Sequence, residues 1–90
     1  MEGMTTKQIE LARHALGLSQ FRKKSYRNRF IAGDGHPDFP EWMKMVIDRN
    51  AKRSQSRMFG GDSMFMLTLV GARTALNAGE QLDKEDFPDA

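Results

Sequence analysis

Arg22, Lys23, Lys24, Arg27 and Arg29 crowd five cations into one short stretch, with Tyr26 among them and Phe30 just after. Several cations presented side by side are what a phosphate backbone requires, and aromatic rings between them can stack on bases. Arg49, Lys52, Arg53 and Arg57 follow one another with no acid between them, a second candidate phosphate-facing patch. The plainer alternatives are a solvated strand face whose aromatics are core, and a hairpin edge protected by charge. If Tyr26 and Phe30 face inward, the arginines face outward together, and the electrostatic reading stands without stacking.

Other chemistries find less support. The chain has no cysteine, which removes disulfides, thiolate catalysis and Cys-based zinc sites and fits a reducing compartment. His36 stands between Asp34 and Asp38, but one imidazole and two carboxylates in five residues make a poor metal cage. A turn with Asp38 capping a helix is the better reading. His14 lies beside an apolar stripe, as boundary packing would place it. Gly33-Asp34-Gly35 and Gly60-Gly61 lack both the P-loop lysine and the strand-to-helix fingerprint of nucleotide loops, and read as turns. Met43, Met45, Met58, Met64 and Met66 suit either core filling or an adaptable protein-binding face. No nucleophile, base and orienting group stand out as a set. The expectation is a non-enzyme with no cofactor, no metal and no small-molecule substrate.

Ninety residues, 39% of them hydrophobic and 29% charged, suit one folded domain with a thin core. The net charge of +2 hides an asymmetry. From Lys7 to Arg29 seven basic residues face Glu10 alone, a local balance of +6; from Glu80 to Ala90 the balance is −4. Such polarity bears on partners and solubility. The N-terminus lacks the apolar run of a signal peptide, and the most apolar stretch, Met64 to Val70, is too short to span a bilayer. A cytoplasmic chain without membrane contact is expected.

The elements that must position these residues can be read from spacing. Thr5 and Gln8 have capping-box spacing, Ile9, Ala12 and Leu16 recur at helical intervals, and Gly17 is placed to end the helix. Alternation over Tyr26 to Ile31 predicts a short strand, with a short helix ending at Gly33 as the rival. A second helix over 38–49 is predicted from Asp38-x-x-Glu41, with Pro40 in its first turn and Phe39, Trp42, Met43, Val46 and Ile47 as its buried stripe. Asn50 is a candidate left-handed cap. A polar, basic strand over Ala51 to Phe59, a turn at Gly60-Gly61-Asp62 and a strand over Ser63 to Thr68 form a hairpin, with Phe65 and Leu67 on one face. Thr68 can cap a third helix through Leu76, closed by Gly79. The predicted architecture is α+β: three helices with a small antiparallel sheet, as one domain over 1–79 and an acidic, loosely held tail over 80–90.

The run Phe65-Met-Leu-Thr68-Leu-Val-Gly71-Ala-Arg-Thr-Ala-Leu76 is similar to the wing strand and following helix of winged-helix proteins. Trp42 to Arg53 looks like the helix and basic strand that enter a wing. Together they cover roughly residues 38–78. The resemblance implies a winged-helix-like fold in which Gly71 allows close packing onto the hairpin. More broadly, Ala12-Arg-His-Ala-Leu-Gly-Leu18, Tyr26-Arg-Asn-Arg-Phe30, Gly33-Asp-Gly-His36 and Gly60-Gly-Asp62 resemble small uncharacterised proteins of bacteriophages and prophages. That likeness implies an origin and no mechanism. In a DNA-binding winged helix, the helix before the wing enters the major groove. Here that helix sets Asp38, Glu41 and Asp48 against Lys44 and Arg49, and is short of side chains that read base edges.

Two functions are therefore expected. One is a phage-type accessory or regulatory module that binds nucleic acid through the basic face with little sequence preference. The other is a protein-binding modulator of a host factor, docking through the acidic end, the methionines or the second helix. Clustering of the arginines on one face favours the first; an exposed apolar patch around Met58, Met64 and Met66 favours the second.

Overall fold

The fold is that of a computed structural model describing residues 3–55 and 62–90. Helix α1, Thr6–Leu16, begins as its capping box requires: the Gln8 amide donates to Thr5 Oγ1, and the Thr5 amide donates to Gln8 Oε1. Leu11, Ala12, Ala15 and Leu16 are its buried stripe, and Gly17 ends it in the left-handed region at φ 79°.

The end of α1 dictates the path of the chain as far as β1. The last four carbonyls of a helix have no partner within it. Here the Arg13 carbonyl accepts from the Leu18 amide, His14 from Gly17, Ala15 from Arg29 and Leu16 from Tyr26. The amides of Tyr26 and Arg29 are thus committed to a helix end, so strand β1 is only Phe30–Ala32, shorter than the predicted 26–31. Asn28 bridges the gap with its side chain, exchanging two hydrogen bonds with the backbone of Leu67 as a strand residue would.

Helix α2, Phe39–Ile47, carries Pro40 in its first turn, as expected. Its cap differs from expectation. The Asp38 side chain makes no capping hydrogen bond; its carboxylate lies 3.3 Å from Lys7 Nζ, and its amide donates to His36 Nδ1. The buried stripe is Trp42 and Met45, with Phe39, Met43 and Val46 partly covered, while Ile47 is 75% exposed. Arg49, not Asn50, takes the left-handed conformation, because Asn50 is buried with its carbonyl accepting from the Thr68 amide.

Strands β2, Ala51–Gln55, and β3, Ser63–Leu67, complete an antiparallel sheet in the order β1-β3-β2. The predicted extension of β2 to Phe59 and the Gly60-Gly61 turn lie outside the described residues, as do Arg57 and Met58. Paired residues share a face, so Phe30, Phe65 and Arg53 point to one side and Ile31, Met64 and Ser54 to the other. The inner side meets the helices. Trp42 is fully buried there between Phe65 and Phe30, with ring centres 5.4 and 5.2 Å away.

Helix α3, Leu69–Thr74, starts as predicted, with Thr68 Oγ1 accepting from the Gly71 amide. A Cβ on Gly71 would collide with the backbone carbonyl of Asn50, so the close approach expected of this glycine is against the α2–β2 connection. The helix ends five residues before Gly79. There the Arg13 guanidinium donates to the Ala75 carbonyl at 3.0 Å and to both Glu80 carboxylate oxygens, at 2.5 and 2.7 Å, and Glu80 in turn accepts from the Asn77 amide. The chain turns back to bring Glu80 beneath Arg13.

This pair corrects the picture of a loosely held tail over 80–90. Glu80, Leu82 and Phe87 are buried. Gln81 exchanges backbone hydrogen bonds with Lys23 and Ser25, and Ser25 Oγ accepts from the Asp83 amide. The composition is acidic, but two apolar anchors and the ion pair of buried Glu80 with Arg13 dock the segment. Three helices and a small three-stranded antiparallel sheet make an α+β fold compatible with a winged-helix-like arrangement. Among the described residues no helix is long and apolar enough to cross a membrane.

Candidate functional site

The basic segment leaves α1 through a tight turn. Ser19 and Arg22 exchange backbone hydrogen bonds, and Ser19 Oγ accepts from the amides of Phe21 and Arg22. A hydroxyl mimicking a backbone turn in this way fixes the local path. It places Phe21 outside, 88% exposed. Beyond the turn the chain runs extended along the docked C-terminal segment as far as Ser25, then along the end of α1.

Tyr26 is the hub of the surface that results. Its ring covers Gly17, where a Cβ would collide with it. The guanidinium carbons of Arg22 and Arg27 lie 4.2 and 5.2 Å from the ring centre, within reach of cation–π attraction. Arg27 also donates to the His14 carbonyl at 2.7 Å, at the helix end where the macrodipole favours a cation. Its buried Nε has no hydrogen-bond partner. Next to it, Arg27, Arg29, His14, Phe30 and Ile31 line a cleft of about 240 Å³. The lining holds cations, an imidazole and apolar surface, and no carboxylate. Such a cleft suits an anion.

The sequence-predicted site therefore divides. Arg22, Arg27 and Arg29 come together as one continuous face through Tyr26 and His14, and Lys23 and Lys24 are exposed on the adjoining strand-like run. Tyr26 and Phe30 do not share a face. Tyr26 is 49% exposed, whereas Phe30 packs edge-on to His14 and His36 and beside Trp42. The second group does not assemble. Arg53 lies over the Phe39 ring and donates to Ser63 Oγ at 2.7 Å. Lys52 points to the opposite face of the sheet and borders Asp86 and Asp89. Arg49 sits in the turn after α2, and Arg57 is outside the described residues.

Arg13, counted among the N-terminal cations, is not available to a ligand. It is held by Glu80, whose side chain is 1% exposed. The guanidinium hydrogen bonds, aided by the Asn77 amide, hold the Glu80 carboxyl down at about 2, and the same pair raises the pKa of Arg13 further. His36 serves as a local acceptor for Asp38, and among the described residues no group of three or more His, Asp or Glu could hold a metal ion.

Phe21 was missed by reasoning from periodicity. It lies beyond Gly17, where the stripe of α1 has ended, and an aromatic set among Ser19, Gln20, Arg22, Lys23 and Lys24 was the available signal. Comparison with protein-family models, with curated proteins and with solved structures finds no match.

Proposed function

We propose that this chain is a non-enzymatic, cytoplasmic, phage-type accessory or regulatory module that binds nucleic acid through its basic face, without strong sequence preference. The observation that carries this reading is the continuous run from Arg22 across Tyr26 to Arg27, His14 and Arg29, with a carboxylate-free cleft at its end. A row of cations on one face is what backbone phosphates select, and it reads no bases. Helix α2, with Glu41 and Lys44 as its charged residues and Asp38 and Asp48 at its ends, is short of base-reading side chains, which agrees with weak base readout.

The test is a titration of labelled duplex and single-stranded oligonucleotides across a range of salt. Affinity should fall steeply with salt, and Arg22→Ala, Lys23→Ala, Lys24→Ala and Arg29→Ala combined should flatten the log–log slope by about one unit per lost contact. Arg27 is left in place because it also caps α1. No binding at low salt to either form would overturn the reading.

One observation favours the second reading, a protein-binding modulator of a host factor. The outer face of the sheet carries Ile31, 46% exposed, beside partly covered Met64 and Met66, an apolar surface of the kind that marks protein contacts. If the titrations are blank, this face is the one to alter, with Ile31→Lys in a pull-down from host extract.

A further inference from the structure

We propose that Phe21 is a stacking residue for an unpaired base, so that the basic face takes single-stranded nucleic acid in preference to duplex. This rests on the nucleic-acid reading above and names its substrate form. Phe21 stands at the tip of a turn pinned by Ser19 Oγ and is 88% exposed. A fully offered aromatic costs solubility and contributes nothing to this core, whose aromatic members among the described residues are Phe30, Phe39, Trp42, Phe65 and Phe87. Its chain neighbour Arg22 begins the cationic run, so a strand following those cations meets the ring at their end. Tyr26 cannot play this part as freely, because Arg22 and Arg27 both lie over its ring.

The surroundings of Phe21 choose among occupants. A protein hot spot sits within contacts that exclude water, but Phe21 is 88% exposed and its chain neighbours Ser19, Gln20, Arg22 and Lys23 are all exposed too. Insertion into an anionic membrane scales with buried apolar area, and one ring offers little of it. An unpaired base needs only one exposed aromatic face and cations to hold its phosphates. A base inside a duplex is already stacked on both sides and does not present that face.

Anisotropy titrations of the full chain with a labelled single strand and with its blunt duplex test this. Wild type should favour the single strand, and Phe21→Ala should weaken single-strand binding about 5- to 100-fold while changing duplex binding less than about twofold. Phe21→Trp should retain the preference and Phe21→Leu should lose it, since stacking needs a π face and not only apolar bulk. Circular dichroism of each variant should match wild type. Unchanged single-strand affinity in Phe21→Ala, with salt-dependent binding intact, overturns the stacking role and leaves the nucleic-acid reading standing. Rescue by Phe21→Leu overturns it too, in favour of apolar insertion. Wild type that binds neither oligonucleotide removes both, and tighter Phe21-dependent binding to vesicles of anionic lipid would replace them with a membrane role.

Discussion

The basic run from Arg22 to Arg29 and the acidic segment from Glu80 to Ala90 are the two most charged stretches of the chain, and they are used in opposite ways. The acidic segment is turned inward at its start. Glu80 is locked to Arg13, and Leu82 and Phe87 are buried behind it. The basic run lies alongside, bonded to the same segment through its backbone, but keeps most of its charged groups in water. Net charge counts both alike. What separates them is whether the counter-charge is supplied by the fold. Arg13 has its carboxylate inside the molecule; Arg22 and Arg29 have none within ion-pairing distance among the described residues.

The sharpest way to break this comparison is to delete Glu80 to Ala90. Were the segment only a screen of negative charge, its loss would tighten non-specific binding at low salt and leave the fold alone. The structure makes it a packing element. Deletion strips a part-buried guanidinium of its partner and removes two apolar anchors, losses comparable with the ~5 kcal/mol or a little more by which so small a domain is stable. The expected outcome is loss of the cooperative denaturant transition. A truncated chain that melts as wild type would show that the segment is not part of the domain.

A smaller intervention isolates the ion pair. Glu80→Ala leaves the part-buried Arg13 guanidinium without its carboxylate and should destabilise by about 2–3 kcal/mol in urea melts. Acid provides the same test without mutation. Because the folded carboxyl is held down at about 2, the stability it contributes is complete above the unfolded carboxylate's value of about 4.3 and disappears as pH falls from there towards about 2. Wild type should lose more stability across that window than Glu80→Gln, which lacks the titrating group. Parallel acid profiles for the two proteins would remove the pair from the account of stability.

The basic run is seated on the end of α1 at Gly17, and substitution there measures how firmly the basic face is held. Gly17→Ala would put a Cβ into the Tyr26 ring from a backbone at φ 79°, costing about 1–2 kcal/mol. It should also displace Tyr26 and with it the cation–π contacts of Arg22 and Arg27. Quenching of Tyr26 fluorescence by acrylamide should rise if the ring is freed, and unchanged stability would show that the chain end of α1 is looser than its hydrogen bonds suggest.

How much of the fold and site was legible in the sequence depends on the range of the interactions involved. The capping box at Thr5, the left-handed Gly17 and the cap at Thr68 are set by residues within a few positions of one another, and the structure has each of them. The burial of Trp42, Phe65 and Leu67 could be read from periodicity for the same reason. Most of the departures involve partners far away in the chain. Strand β1 is short because the amides of Tyr26 and Arg29 answer to the end of α1, and Asp38 is drawn to Lys7 instead of capping its own helix. The docked C-terminal segment depends on Arg13, 67 positions from Glu80, and no local pattern in either announces the pair. The cationic face was visible as composition; that Arg53 is spent on Phe39 and Ser63 was not.

The smallest expected effect is the one that most sharpens the contrast. Arg22→Ala, Lys23→Ala, Lys24→Ala and Arg29→Ala together remove four exposed cations, the kind of surface change that typically moves stability by about 0.5 kcal/mol or less each. Two terms act in opposite directions: loss of Arg22 removes a cation–π contact with Tyr26, worth about 0.5–1 kcal/mol at an exposed site, while loss of four like charges relieves repulsion along the run. The combined variant should therefore melt within about 1 kcal/mol of wild type and show the same acid profile, because Arg13 and Glu80 are untouched. A large loss of stability would mean that these cations, like Arg13, answer to carboxylates inside the fold. Near-neutral stability with a flattened salt dependence of oligonucleotide binding would mark them as held in reserve for an outside partner.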